Sequence, residues 1–504
     1  SYGGAIYSTS GSNLTISNSI FTGNQATADN AAHGGAIYSY GNVNIKNSVF
    51  IDNNAESANS YAYGGALYSN GFTTIKNTVF KNNTAGSGGS SAYIYGGAIS
   101  GESTNLMILT NSVFDANSAF GTATNTNGVY GGAIFKDSGQ LVLIDSVFTN
   151  NSAISKSFRA NGGAIGIHGT YGATLGLIAK DKDVLFEGNY ISTDGGTTKV
   201  SNAVYVQSTT FNLNAGEHNI IFNDRITGNY GTLNINQTGT WDDTTNPSTP
   251  DGNFIPTWAP TTGTIELNED MNNAKGDLNI YGGTLKLGWN TTNKYGQSVT
   301  TKFFNTASNT LNFAGGTIDL VNGKSDSISA GTFEGSGGTL IMDADLSAAT
   351  NDKFTISTLT DGSKGAIGGL NLTSDSAGSS STITVATKPL ELDLLYNKIF
   401  TTNKLYEMSS PQAGQIQLDV MQSGYKTLDL AYHTAGPIRY YRLSGDETIY
   451  SNGDMGAGNL TIDGDGHTIT GEEDTITLSA AAGDNLNLQN IGAYSKTLAD
   501  ASTS

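Results

Sequence analysis

A unit of about thirty residues recurs along the first third of the chain, and no other feature constrains the fold so tightly. Gly pairs open at Gly3, Gly34, Gly64, Gly96, Gly131 and Gly162, at intervals of 31, 30, 32, 35 and 31 residues. The copy GGALYSNGFTTIKNTVFKNNTA, from Gly64 to Ala85, shows the pattern: a Gly pair, a short apolar run, a turn, a second run, then Asn77, Phe80, Asn83 and Ala85. The Phe column runs Phe21, Phe50, Phe80, Phe114, Phe148 and, more loosely, Phe186, each followed three residues later by Asn. A ladder site precedes each Phe at Asn18, Asn47, Asn77, Asn111 and Asp145.

Apolar residues two and four before that site alternate as in a half-buried strand: Leu14 and Ile16, Val43 and Ile45, Met107 and Leu109, Leu141 and Leu143. Runs of three to five β-branched and aromatic residues cut by Gly and Asn are too short for useful helices. A fixed period with period-two alternation predicts a β-solenoid, each unit one triangular coil of three short strands stacked about 4.8 Å from the next. Equivalent residues then lie over one another. Phe stacks on Phe in a dry column, and each Asn gives its amide to the next coil. The Gly pair admits a positive φ or a close backbone approach at a corner.

After about residue 190 a second signature takes over, Gly-Thr followed by alternating apolar residues, from Gly231, Gly263, Gly283, Gly316 and Gly338. The reading is four segments: a repeat β-helix over 1–190, a continuing β-helix over 191–389, a connector or cap over 390–441, and a second β-helix unit over 442–504. Four of the seven prolines fall between Trp241 and Pro260, which marks 241–260 as a protruding loop, since proline cannot serve a central ladder. An additional coil or cap is expected before Ser1, and the last pattern is expected to run past Ser504.

Composition narrows the partners. The net charge is −19 with no run of Lys or Arg, which disfavours nucleic acid and anionic lipid surfaces. With no cysteine there is neither a disulfide framework nor a thiolate zinc site, and the five histidines lack ligand spacing, so no cofactor or metal is expected. No Gly-rich stretch follows a strand and opens a helix, which removes the usual phosphate-binding readings.

The GGA[IL] and FxxN pair, at this spacing and in five or six copies, resembles the repeat of chlamydial polymorphic outer membrane proteins and related bacterial autotransporter passengers. The likeness is strongest over residues 1–190, and GGTLKLG from Gly282 and GGTIDLVNG from Gly315 resemble later passenger coils. It implies an all-β, right-handed parallel β-helix, elongated, exported through the outer membrane and displayed extracellularly as an adhesin or surface-layer component. Implied partners are glycans or proteins of a host or neighbouring cell, or further copies of the chain. Membrane contact would come only through a C-terminal β-barrel, whose alternating amphipathic segments this sequence lacks.

Parallel β-helices also carry polysaccharide lyases and glycosidases, which need paired carboxylates or a calcium cluster with a base. Asp-x-Asp pairs occur at Asp181 and Asp183, Asp343 and Asp345, and Asp463 and Asp465, and the bland reading is solvated turns. The stretch from Asp463 to Asp474 imitates a calcium loop but has Thr468 where glycine belongs. Catalysis is therefore the alternative and a purely structural spacer the third reading. For contact, Tyr7, Tyr38, Tyr68 and Phe135 follow an inward Ile or Leu by one residue, so alternation puts them on the outside as an exposed aromatic stripe, against the plainer reading that the rings stack on one another. Tyr63, Tyr95 and Tyr130 directly precede Gly pairs, and Trp241, Phe254 and Trp258 in the proline-rich loop form a second candidate contact.

Overall fold

The computed structural model describes residues 1–124, 126–168, 172–237 and 263–345 (apart from 270, 272–273, 289–290 and 300–301), then 350–359, 364–374 and separate strand segments between 382 and 500. Among these residues every regular element is a β-strand, and most strands pair in parallel with the equivalent strand one coil away. The fold is a right-handed parallel β-helix. Two compact units divide the chain, residues 1–318 with 330–338, and residues 319–329 with 339–504.

In the first unit a full coil contains five short strands, for example Ala32–His33, Ile37–Ser39, Asn42–Lys46, Val49–Ile51 and Asn54–Ser57. The expected count was three. The extra divisions come from left-handed corners, where Gly34 (φ 61°), Asn47 (φ 50°) and Asp52 (φ 56°) break the strand too often for long runs. Gly is obligatory at the first of these. A Cβ on Gly34 would sit 2.0 Å from the Ile37 carbonyl oxygen, and one on Gly35 would sit 2.1 Å from the Gly65 oxygen of the next coil. Those close approaches serve the ladder, since Gly34 N–H donates to the Tyr63 carbonyl at 2.8 Å and Gly35 N–H to Gly64 at 3.1 Å.

Register is residue on equivalent residue. Ile37 pairs with Ile6 and Leu67, Phe50 with Phe21 and Phe80, and Ala55 with Ala26 and Ala85. The predicted column of Phe21, Phe50, Phe80, Phe114 and Phe148 is present and continues through Phe186 to Phe222, with ring centroids 4.6–4.9 Å apart and planes within 8°. From Phe50 to Phe148 these rings are fully buried.

The asparagines fall into two ladders of different kind. Asn18, Asn47, Asn77 and Asn111 are the left-handed corners (φ 48–51°), conformations that asparagine tolerates better than other side chains. Asn77 and Asn111 pass amide hydrogen bonds to Asn47 and Asn77 at 3.0 and 2.8 Å, on the solvent side. The buried ladder is the one three residues after each Phe. Asn53 Nδ2 donates to Asn83 Oδ1 at 2.9 Å, Asn83 to Asn117 at 3.0 Å, Asn117 to Asn151 at 3.0 Å and Asn151 to Asn189 at 2.9 Å. Each of these amides also donates to a Phe carbonyl on the coil before it, as Asn83 does to Phe50 at 2.9 Å. The run ends on Asp224, whose carboxylate accepts the Asn189 amide and backbone N–H at 2.8 Å each and the Gly188 N–H at 2.9 Å.

In the second unit pairing turns antiparallel: Leu405–Ser409 lies between Ile416–Val420 and Ile438–Arg442, and Ile416–Val420 also pairs with Thr382–Ala386. Parallel stacking resumes from Ile438–Arg442 through Asn459–Asp463 to Leu486–Gln489.

Candidate functional site: a tyrosine-lined groove

The expected exposed stripe is not what the chain presents. Tyr7 is exposed, but Tyr38, Tyr68 and Phe135 are only 3%, 4% and 1% accessible. Strand alternation does set Tyr38 opposite Ile37. What alternation could not supply is the second aromatic row, Tyr2, His33, Tyr63, Tyr95 and Tyr130, placed in register by parallel pairing just before each Gly pair. Its rings roof the first row edge-on: His33 meets Tyr68 at 5.1 Å and 90°, and Tyr63 meets Tyr68 at 5.9 Å and 78°. Tyr38 stacks between Tyr7 and Tyr68 at 5.2 and 5.0 Å. Burial also keeps the His33 imidazole neutral, with its pKa pushed down to about 4. Trp241, Phe254 and Trp258 lie outside the described residues.

One coil interrupts the first row. Ser100 stands where its neighbours carry Tyr68 and Phe135, so no ring fills that step. Beside the gap a groove of about 430 Å³ opens, walled by Tyr61, Tyr63, Tyr93 and Tyr95, with Phe135, Glu102 and Asp137 completing it. Tyr61 and Tyr93 are 6.0 Å apart, Tyr63 and Tyr95 5.3 Å, and Tyr95 stacks on Phe135 at 4.2 Å. Glu102 reaches back one coil, and its Oε2 accepts the Tyr68 hydroxyl at 3.0 Å.

Burial raises the Glu102 carboxyl pKa; the Tyr68 hydroxyl opposes the rise and nearby Asp137 adds to it. Asp137 is raised by burial too, while His168, 3.8 Å away, and Lys136 pull it down. The Lys136 ammonium is shut beneath the surface on the Ser103 carbonyl, with its pKa lowered by burial to about 8. The Tyr63 and Tyr95 hydroxyls are raised by burial and stay protonated, hence able to donate. The groove thus offers ring surface, hydroxyl donors and two carboxyls that are costly to ionise. Tyr61, Tyr93, Glu102 and Asp137 were not singled out from the sequence. The available signal was GGAIS at Gly96–Ser100, a copy missing its aromatic, with an acid two residues on.

The Asp pairs do not gather. Asp181 and Asp183 are exposed, and Asp183 accepts the Asn219 N–H at 2.8 Å. Asp343, in the second unit, is 2% accessible and its Oδ2 accepts the Asn322 N–H at 2.7 Å and the Gly323 N–H. The side chains of Asp345, Asp463 and Asp465 lie outside the described residues. Of the calcium-loop imitation, Thr468–Gly471 is a strand, and Thr468 N–H donates to Asp446 at 2.8 Å.

Coils with a Gly-pair corner, a Phe column and a buried Asn ladder define a repeat β-helix of one particular kind. Residues 18–40, which span Asn18, Phe21, Asn24 and the pair Gly34–Gly35, match the model of the Chlamydia polymorphic membrane protein repeat. The resemblance read from GGA[IL] and FxxN therefore holds at the level of the repeat. No curated protein matches the chain.

Proposed function

We propose that the chain is passenger sequence of an autotransporter-type protein, displayed on the outer-membrane surface, and that it acts as an adhesin without catalysis. The repeat match supports the surface setting. The observation that carries the adhesive role is the groove, where aromatic walls and polar groups converge on an outer face of the coil stack. Aromatic faces bury apolar ligand surface at low entropic cost, and hydroxyls and carboxyls fix its orientation. The ligand is a glycan or protein of a host or neighbouring cell. Supporting a non-catalytic reading, the buried Asp343 carboxylate is turned to backbone N–H groups.

Beads coated with the full chain should adhere to cell monolayers, and Tyr63→Ala with Tyr95→Ala should abolish adhesion while leaving the circular dichroism spectrum unchanged. Equal adhesion by the variant removes the groove from the function. Release of sugar from polysaccharides, lost in Asp343→Asn, would establish the lyase or glycosidase alternative.

A further inference from the structure

Resting on the groove as the contact surface, we infer that its occupant is a basic side chain, lysine or arginine, of a partner protein. Among the described residues the groove is lined by four phenol rings, the Phe135 ring and two carboxyls, with no cationic side chain. Basic side chains around the groove have partners of their own. Lys136 is buried on the Ser103 carbonyl, His168 lies 3.8 Å from Asp137, and the Arg159 guanidinium sits 5.4 Å from the Phe158 ring centroid and beside Tyr130. The charged neighbour of Glu102 is Asp137, of like sign. An incoming cation relieves that repulsion and makes ionisation of both carboxyls favourable, whereas a neutral sugar leaves it in place.

The kind of cation follows from the walls. Tyr61 with Tyr93 and Tyr63 with Tyr95 stack on one another along the coil axis, which partly shields their faces and leaves the carboxyl and hydroxyl oxygens of the lining as the polar recognition groups. Acceptors reward a cation that carries N–H donors, which lysine and arginine do and a quaternary ammonium does not. The methylene stem of either side chain lies against the ring edges. A volume of about 430 Å³ holds one such side chain with part of its backbone.

The test is calorimetric titration of the full chain, at physiological salt, with the peptides Gly-Lys-Gly and Gly-Arg-Gly, and with choline and methyl glucoside as comparators. Both basic peptides should bind, and Glu102→Gln with Asp137→Asn should weaken them about tenfold or more. Affinity should rise with pH as Glu102 and Asp137, both held above the usual carboxylate range by burial, ionise; Lys136, lowered by burial to about 8, loses its charge at higher pH, which adds to the trend. Because a chain of net charge −19 attracts any cation, Asp29→Asn with Asp181→Asn, two exposed sites elsewhere, serves as the charge-matched control and should leave binding unchanged. Equal loss in that control, or choline or methyl glucoside binding as well as the peptides, overturns the inference. Beads that adhere while basic peptides fail to bind would overturn it and leave the adhesin reading standing.

Discussion

Asn83→Leu tests the stacking mechanism most sharply, because its cost is read from a closed set of hydrogen bonds. Asn83 Oδ1 accepts the Asn53 backbone N–H at 3.1 Å and the Asn53 Nδ2 at 2.9 Å, and Asn83 Nδ2 donates to the Phe50 carbonyl at 2.9 Å and to Asn117 Oδ1 at 3.0 Å. Leucine has the same branching but a larger side chain, and makes none of these. Asn117 Oδ1 keeps its bond from the Asn83 backbone at 3.0 Å and the Phe50 carbonyl keeps its place in the parallel ladder opposite Val79–Lys81, so two buried groups are orphaned: the Asn53 N–H and one Asn53 amide hydrogen. At about 1–3 kcal/mol each, that is roughly 2–6 kcal/mol. Burial of leucine offsets about 2 kcal/mol, while fitting its larger side chain into the packed column costs about 1–3 kcal/mol, leaving a loss of several kcal/mol. Asn77→Leu supplies the contrast. Its amide bonds are exposed, and its penalty is about 1–2 kcal/mol for placing leucine at φ 51°. Because a repeat array need not unfold in one step, the assay is native-state hydrogen exchange across the coils from Phe50 to Asn117. Asn83→Leu should lower protection there by roughly a hundredfold or more, and Asn77→Leu by about tenfold. Equal effects, or the reverse order, would falsify the assignment of the buried ladder.

Gly65→Val should prevent the local coils from forming, since its Cβ would lie 2.2 Å from the Gly97 oxygen and 2.3 Å from the Thr84 oxygen, both backbone atoms; loss of soluble folded chain on gel filtration checks it. Phe114→Ala, which empties a fully buried place between rings 4.9 and 4.8 Å away, should cost about 3–5 kcal/mol in denaturant unfolding of that region. The ladder's terminal Asp224 has its pKa raised by burial from 3.8 to about 6, against the opposing pull of the Asn189 and Gly188 N–H groups. A raised acid binds its proton more tightly in the folded state, so its contribution to stability is full below about pH 4 and is lost as pH climbs through about 6. Denaturation midpoints measured from pH 4 to pH 7 should carry that downward component, and Asp224→Asn should flatten it.

The amino-acid sequence by itself determined the coil. Gly pairs at a fixed interval, a Phe column and an Ala column require one another only if equivalent residues stack, and Phe50 over Phe21 under Phe80 is that requirement met. It did not determine which asparagine ladder is interior. Asn77 and Asn83 are the same residue at the same period, and only the left-handed corner at Asn77 turns one outward and leaves the other inside. Nor did it determine the aromatic surface. Alternation correctly set Tyr38 and Tyr68 opposite the core residues Ile37 and Leu67, yet both are covered by rings from the end of the preceding strand, a contact between rows that alternation within one strand does not encode. The groove is likewise a product of neighbouring coils. It exists because Ser100 withholds a ring while Tyr63, Tyr95 and Phe135, distant in the chain, are held in adjacent coils by the parallel ladder. Periodicity fixes what lies above and below each residue. What lies beside it depends on how the corners fold one row of side chains against the next.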